Sequence, residues 1–85
     1  MRGSPTGTGL GQRQRAARTS LASLDAMAHL AQHARCVAHV VVAREPGVVE
    51  HAREAGRRAG VQVSADLMPF TIRVRFDGRP GDAAC

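Results

Sequence analysis

The sequence predicts a small α/β (α+β) fold, a two-layer sandwich in which two helices cover one face of a three-stranded mixed sheet. Two observations predict it. Apolar residues recur at helical spacing in two segments, and three short segments are either β-branched or strictly alternating. The segments follow the order α-β-α-β-β, and 85 residues suffice for one small domain. We expect a disordered basic arm over residues 1–19, the domain over residues 20–77 and a disordered tail over residues 78–85.

The two predicted helices differ in the clarity of their patterns. The first is expected to begin at Ser20, a suitable N-cap, and to end near Arg35. In the second, Pro46 suits the first helical position and Gly60 suits the position after the last turn. Its apolar stripe comprises Val48, Val49, Ala52, Ala55 and Ala59. Both helices are therefore predicted to pack on the same face of the sheet.

The three predicted strands suggest a sheet with one covered face and one open face. Residues 37–43 are almost continuously apolar, which predicts a central strand. Residues 61–67 and 69–76 alternate, and the alternation places both Phe70 and Phe76 on the covered face. We expect a right-handed parallel crossover from the first strand to the second, followed by an antiparallel hairpin to the third.

This element order resembles the latter part of the β-α-β-α-β-β sandwich of TusA-like sulfur carriers and of the C-terminal domain of a bacterial translation initiation factor. The resemblance implies architecture only. The Cys-Pro-x-Pro motif of the sulfur carriers is absent, because Cys36 is followed by Val37 and lies at the other end of the helix. No family is identified from the sequence.

The charge is concentrated at the N-terminus. All twelve basic residues are arginine, which is typical of proteins encoded by GC-rich genomes. Residues 1–20 contain four arginines and no acid, so they carry +4 of the net charge of +5. An alternative function is therefore nucleic-acid binding through the phosphate contacts of an arginine arm. Its candidate residues are Arg13, Arg15 and Arg18. With both phenylalanines expected inside, the domain would lack an aromatic surface for stacking bases.

Compartment and cofactors are inferred from what the sequence does not contain. No apolar run reaches the length of a membrane span, and no apolar core follows the basic N-terminus as in a secretory signal. Two cysteines, one of them the last residue, do not indicate a disulfide framework. We therefore expect a bacterial, cytoplasmic protein with no membrane association and no cofactor.

The segment "HLAQHARCVAH" contains three of the four histidines and one of the two cysteines. On a helical wheel His29, His33 and Cys36 share the side away from the apolar stripe. They could ligate a metal, but a structural zinc site requires four ligands and the chain has no second Cys/His pair. We interpret them as a solvated helix face without a metal. Thiol or sulfur-carrier chemistry at Cys36 is a further alternative.

His39 belongs to a different surface. If Ala38, Val40 and Val42 face the helices, His39 points to the open face of the sheet, whereas the opposite phase would bury it. The candidate binding residues on that face are His39, Gln62, Asp66, Thr71, Arg73 and Arg75. No nucleophile elbow, phosphate-binding loop or pair of catalytic carboxylates is recognisable. We expect a non-catalytic binding or assembly module that forms a homo-oligomer or binds a protein partner through this face.

Overall fold

The computed structural model describes residues 8–78 and 84–85, with side chains from residue 21 onward. The elements are α1 (Thr8–Ala34), β1 (Val37–Ala43), α2 (Val48–Ala59), β2 (Gln62–Leu67) and β3 (Thr71–Asp77). The α-β-α-β-β order and the small α+β fold with one open sheet face are confirmed.

The sheet has the strand order β1-β3-β2, and both neighbouring pairs are antiparallel. The prediction of a mixed sheet is therefore wrong. β1 and β2 do run in the same direction, but β3 lies between them, so that α2 crosses over a strand rather than joining two neighbours. The prediction that β1 is the central strand is wrong for the same reason. β3 takes that place because Ile72, Val74 and Phe76 bury almost their whole surface beneath both helices.

Helix α1 begins earlier than expected. Its backbone is helical from Thr8, twelve residues before the predicted N-cap Ser20. Glutamine, arginine and alanine are frequent between residues 12 and 18, and all three favour helix, which accounts for the extension. Residues 8–19, expected in a disordered arm, are thus helical, and residues 1–7 lie outside the described part of the chain.

Helix α2 has a glycine at each end. Gly47 is the N-cap, with φ of 84°, so the helix begins at Val48 and Pro46 precedes it instead of occupying its first turn. Gly60 follows the last turn as predicted, with φ of 72°, and its N–H donates to the carbonyl oxygen of Arg57. A left-handed backbone at this position favours glycine because a Cβ atom would be strained there.

The core lies between the helices and the covered face of the sheet. Its largest fully buried side chains are those of Leu24, Ile72, Val74 and Phe76. The helices contribute mostly alanine to the rest of the core, and small residues allow helices to approach a sheet closely. No helix in the described part of the chain is long and apolar enough to cross a membrane.

The end of the C-terminal tail is attached to β1. Ala84 forms a parallel bridge with Val37, the N–H of Cys85 donates to the carbonyl oxygen of Val37 at 3.0 Å, and Cys85 forms a disulfide with Cys36. The number and positions of the cysteines in the sequence did not indicate this disulfide. Residues 84–85 are held in place although a disordered tail was expected, while residues 79–83 lie outside the described part.

Candidate binding face

The phase of β1 decides which side chains share the open face. Ala38 and Val42 are buried in the core and Val40 packs against it, whereas His39 and Val41 are exposed on the other side. The predicted phase is confirmed, and His39 joins the polar side chains of β2 and β3. We call this surface the open face.

The sheet register arranges the open face in rows across the three strands. One row is His39, Arg75 and Ser64, and the next is Val41, Arg73 and Asp66. The flanking rows pair Ala43 with Thr71, and Asp77 with Gln62. Register therefore brings all six predicted candidate residues onto one surface, with the two arginines on the central strand.

The two arginines of the open face differ in their partners. Arg75 is partly buried, and its Nη2 lies 3.4 Å from Oδ2 of Asp77. Arg73 is exposed and forms no ion pair with another described side chain, although Asp66 is opposite it in the register. The centre of the open face therefore carries a guanidinium group whose donors are free to bind a group from outside the described chain.

The turn between β2 and β3 forms an apolar tip at one end of the sheet. Phe70 is 86% exposed, and Leu67 and Met68 are also exposed. The predicted burial of Phe70 is wrong because β3 begins only at Thr71, which leaves Phe70 in the turn. Proline is favoured at the second position of tight turns, so Pro69 indicates this turn. The prediction from alternation alone did not take Pro69 into account.

Arg44 connects the apolar tip to β1. Its Nη1 donates to the carbonyl oxygen of Met68 at 3.0 Å, and its backbone N–H donates to the carbonyl oxygen of Phe70 at 3.1 Å. A guanidinium group bonded to the turn backbone and an exposed phenylalanine thus belong to the same end of the sheet. Neither Arg44 nor Phe70 was predicted from the sequence to belong to a binding site.

The histidine and cysteine cluster separates in the structure. The rings of His29 and His33 are stacked on the exposed side of α1, with centroids 5.8 Å apart. Cys36 is buried and bonded to Cys85, and His39 lies on the open face. No three His, Cys, Asp or Glu side chains converge as a metal site among the residues that the structure describes. Because the sulfur of Cys36 is bonded to Cys85, sulfur transfer at Cys36 would first require reduction of this disulfide.

Two further groups of charges lie on the helices. Nε2 of His51 in α2 lies 2.8 Å from Oδ1 of Asp25 in α1. Within α2, Glu54 accepts hydrogen bonds from Arg57 and Arg58, and the bond from Arg57 is the main cause of the lowered pKa of the Glu54 carboxyl. These groups connect or stabilise helices on the side of the molecule away from the open face.

The structure describes the backbone of the predicted arginine arm from Thr8 onward. Arg13, Arg15 and Arg18 lie in the first part of α1, whose side chains are outside the described part of the chain.

Comparison with protein-family models, curated proteins and solved structures gave no match to this chain. Any function must therefore be argued from the described residues themselves.

Proposed function

We propose that the chain is a non-catalytic binding module whose open face binds a carboxylate-rich surface of a protein partner. One observation carries the proposal: Arg73 projects from the middle of the exposed sheet and forms no ion pair with another described side chain. A planar guanidinium group with unused donors is suited to bidentate contact with a carboxylate. His39 lies exposed in the next row, and Arg75, paired with Asp77, adds positive charge beside it.

The arrangement of the arginines favours a different protein over a second copy at this face. If two identical open faces packed together around a two-fold axis through their central strands, the Arg73 and Arg75 side chains of both copies would approach one another. Like charges brought together at an interface cost free energy. An acidic partner would meet the same arginines with opposite charge.

The size of the open face indicates a transient contact. Three strands of this length cover about 14 Å by 23 Å, or roughly 300 Å² on one partner. Stable complexes bury about 800 Å² on each partner. The partner is therefore expected to dissociate readily, or to extend its contact to the apolar tip at Phe70.

A fluorescently labelled decaglutamate peptide is a suitable probe, with binding followed by fluorescence anisotropy. Arg73→Ser should raise the Kd about tenfold, because a hydrogen bond to a charged group contributes about 1.5–3 kcal/mol net and about 1.4 kcal/mol corresponds to a factor of ten. Arg53→Ser is the matched control, since it removes an exposed arginine from α2 with the same change in net charge. Equal effects of the two substitutions would contradict the proposal, because binding would then depend on total charge alone.

Nucleic-acid binding is a second candidate function, and the exposure of Phe70 favours it. The exposed ring of Phe70, in a turn whose backbone Arg44 binds, together with the basic N-terminal segment, would provide both stacking and phosphate contacts for a single strand. The probe for this function is a labelled oligothymidylate. Phe70→Ser should raise its Kd about tenfold and leave decaglutamate binding unchanged. Unchanged oligothymidylate binding by Phe70→Ser would remove this candidate.

The cytoplasm remains our proposed location. In a reducing cytoplasm Cys36 and Cys85 would be thiols, because disulfides are rare there. Titration of free thiols in protein denatured directly from cells, with alkylation before lysis, tests the location. Two thiols per chain are expected, and a fully oxidised pair would instead indicate an oxidising compartment.

A further inference from the structure

The outer edge of β1 has backbone groups that no described strand uses. In a β-strand the N–H and C=O of one residue point to the same side, and the side alternates along the chain. The N–H of Arg44 points toward β3, where it donates to Phe70, whereas the carbonyl oxygen of Val37 points outward, where it accepts from Cys85. The two observations agree that odd-numbered residues of β1 face outward. His39, Val41 and Ala43 therefore present their N–H and C=O groups at the edge.

This edge lacks the features by which proteins usually prevent strand addition. Natural edge strands are commonly protected by charged side chains, proline or a bulge. β1 has the sequence VAHVVVA, with no proline and no Asp, Glu, Lys or Arg, and its seven residues pair with β3 in an unbroken register. The opposite edge strand, β2, carries the exposed charge of Asp66. β1 is therefore the edge that is open to pairing with another strand.

Exposed apolar side chains flank the same edge. Val41 is 58% exposed on the open face, although its neighbours Val40 and Val42 pack in the core. On the helix side, Leu30 and Met27 border a cleft of about 310 Å³ that reaches residues 37–39 and the C-terminal residues 84–85. A strand added at this edge would bring apolar surface next to Val41.

We infer that the occupant of this edge is a second copy of the chain, paired antiparallel through its own β1. A two-fold axis relates two identical edges only in an antiparallel pair, so one surface serves both copies. Because β1 contains no Asp, Glu, Lys or Arg, two copies of the strand can lie side by side without bringing such like charges together. The result would be a continuous six-stranded sheet, in contrast to the face-to-face contact considered above.

The attachment of the C-terminus selects the register of this pair. Cys85 already uses the outward carbonyl of Val37, so residue 37 is not available to a second copy. The register that uses the remaining outward residues places Val41 beside Val41 of the partner subunit, His39 beside Ala43 of the partner subunit and, by symmetry, Ala43 beside His39 of the partner subunit. Each of these three opposed pairs exchanges two backbone hydrogen bonds, for a total of about six. The two Val41 side chains then lie against each other on the open face, which explains an exposed valine in the middle of an apolar strand.

Sedimentation velocity with interference detection tests the dimer, since the chain has neither Trp nor Tyr for absorbance at 280 nm. The wild-type chain should sediment as a dimer at about 100 µM and dissociate on dilution. Val41→Lys, which brings like charges together at the two-fold axis, should raise the dimer Kd at least tenfold. Gln62→Lys is the matched control, because it adds the same charge at an exposed position on the opposite edge strand and should leave the Kd unchanged.

Val41→Pro provides a second variant, because it removes an outward N–H that β3 does not use. It should be monomeric, and circular dichroism reports whether it has kept its fold. If it does not fold, Val41→Lys decides the question alone. A wild-type monomer at 100 µM, or an unchanged Kd for Val41→Lys, would overturn the inference.

Amide hydrogen exchange adds a readout at single residues. The amides of His39, Val41 and Ala43 should exchange rapidly in dilute wild-type protein and slowly at dimer concentration, whereas those of Val40 and Val42 should be protected in both. Rapid exchange of the three odd-numbered amides in a confirmed dimer would place the interface elsewhere. The inference goes beyond the proposed binding function and does not use Arg73, so Arg73→Ser should bind decaglutamate weakly and still dimerise.

Discussion

The Cα atoms of Cys36 and Cys85 lie 5.0 Å apart, although the two residues are 49 positions apart in the sequence. This disulfide joins the residue before β1 to the end of the C-terminal tail and encloses β1, α2, β2 and β3 within one covalent loop. The bond thus constrains all three strands of the sheet in the unfolded chain.

We predict that removal of this disulfide lowers the free energy of unfolding by about 4 kcal/mol, the loop entropy expected for a loop of this length. The measurement is urea unfolding of wild-type protein and of Cys85→Ser, followed by circular dichroism. A reducing agent should bring the wild-type midpoint to that of the variant and should leave the variant unchanged. Identical midpoints for oxidised wild-type protein and Cys85→Ser would show that the disulfide does not contribute to the free energy of unfolding.

The two phenylalanines should differ sharply in their contribution to stability. Phe76 is completely buried, so Phe76→Ala is expected to lower the free energy of unfolding by about 3–5 kcal/mol. Phe70 lies in the turn with most of its ring exposed, so Phe70→Ala should change it by less than about 0.5 kcal/mol. Thermal unfolding of the two variants in parallel distinguishes them. A large loss for Phe70→Ala would place that ring inside a core.

Gly56 allows α2 to lie close to β2. A Cβ atom at this position would overlap the Cγ2 methyl group of Val63 and also press on the carbonyl oxygen of Val61. Alanine favours helix over glycine by about 1 kcal/mol, but overpacking of a core costs about 1–3 kcal/mol. We therefore predict that Gly56→Ala is destabilising in urea unfolding.

The double variant Gly56→Ala/Val63→Ala provides the control for this contact. Removal of the Val63 methyl groups makes room for the new Cβ, so the two substitutions together should cost less than the sum of their separate effects. Strict additivity would mean that the overlap with Val63 is not the cause of the loss.

Glu54 should contribute a pH-dependent term to stability. The hydrogen bonds from Arg57 and Arg58 lower the pKa of its carboxyl in the folded chain, with that from Arg57 the larger cause. A carboxyl with a lowered folded pKa stabilises the fold above its unfolded pKa, and the contribution is lost as the pH falls through the folded pKa. Glu54→Gln should therefore unfold at lower temperature than wild type at pH 7, and the difference should disappear at strongly acidic pH.

Glu45→Gln is the control for this prediction, because Glu45 is an exposed acid outside the helix. It should show little difference from wild type at either pH. A difference for Glu54→Gln that persists unchanged into acid would mean that the ion pairs with Arg57 and Arg58 are not its source.

The sequence was sufficient to predict features that depend on neighbouring residues. The alternation of β3 predicted that Ile72, Val74 and Phe76 are buried. It also predicted that Arg73 and Arg75 lie together on the open face. The stop of α2 at Gly60 was also predictable, because a left-handed position after a helix favours glycine. These features follow from local periodicity and backbone sterics.

Strand order and the disulfide could not be predicted in the same way. Whether β1 lies beside β2 or β3 depends on contacts between residues far apart in the chain, and the apolar character of β1 suggested a central position that β3 occupies. The approach of Cys85 to Cys36 depends in turn on β3 pairing with β1, because that pairing brings the end of β3 to the start of β1. The start of α1 was missed because the N-terminal segment lacks an apolar period, although its composition favours helix.

The position of β3 also has a consequence for biosynthesis. A ribosome releases β1 and β2 before β3, yet in the folded sheet these two strands do not pair with each other, since β3 lies between them. Until residues 71–77 emerge, the nascent chain presents two unpaired strands, one of them the uncharged VAHVVVA segment. The sheet must therefore assemble in one late step, and factors that shield nascent apolar segments have their greatest effect on this chain just before that step.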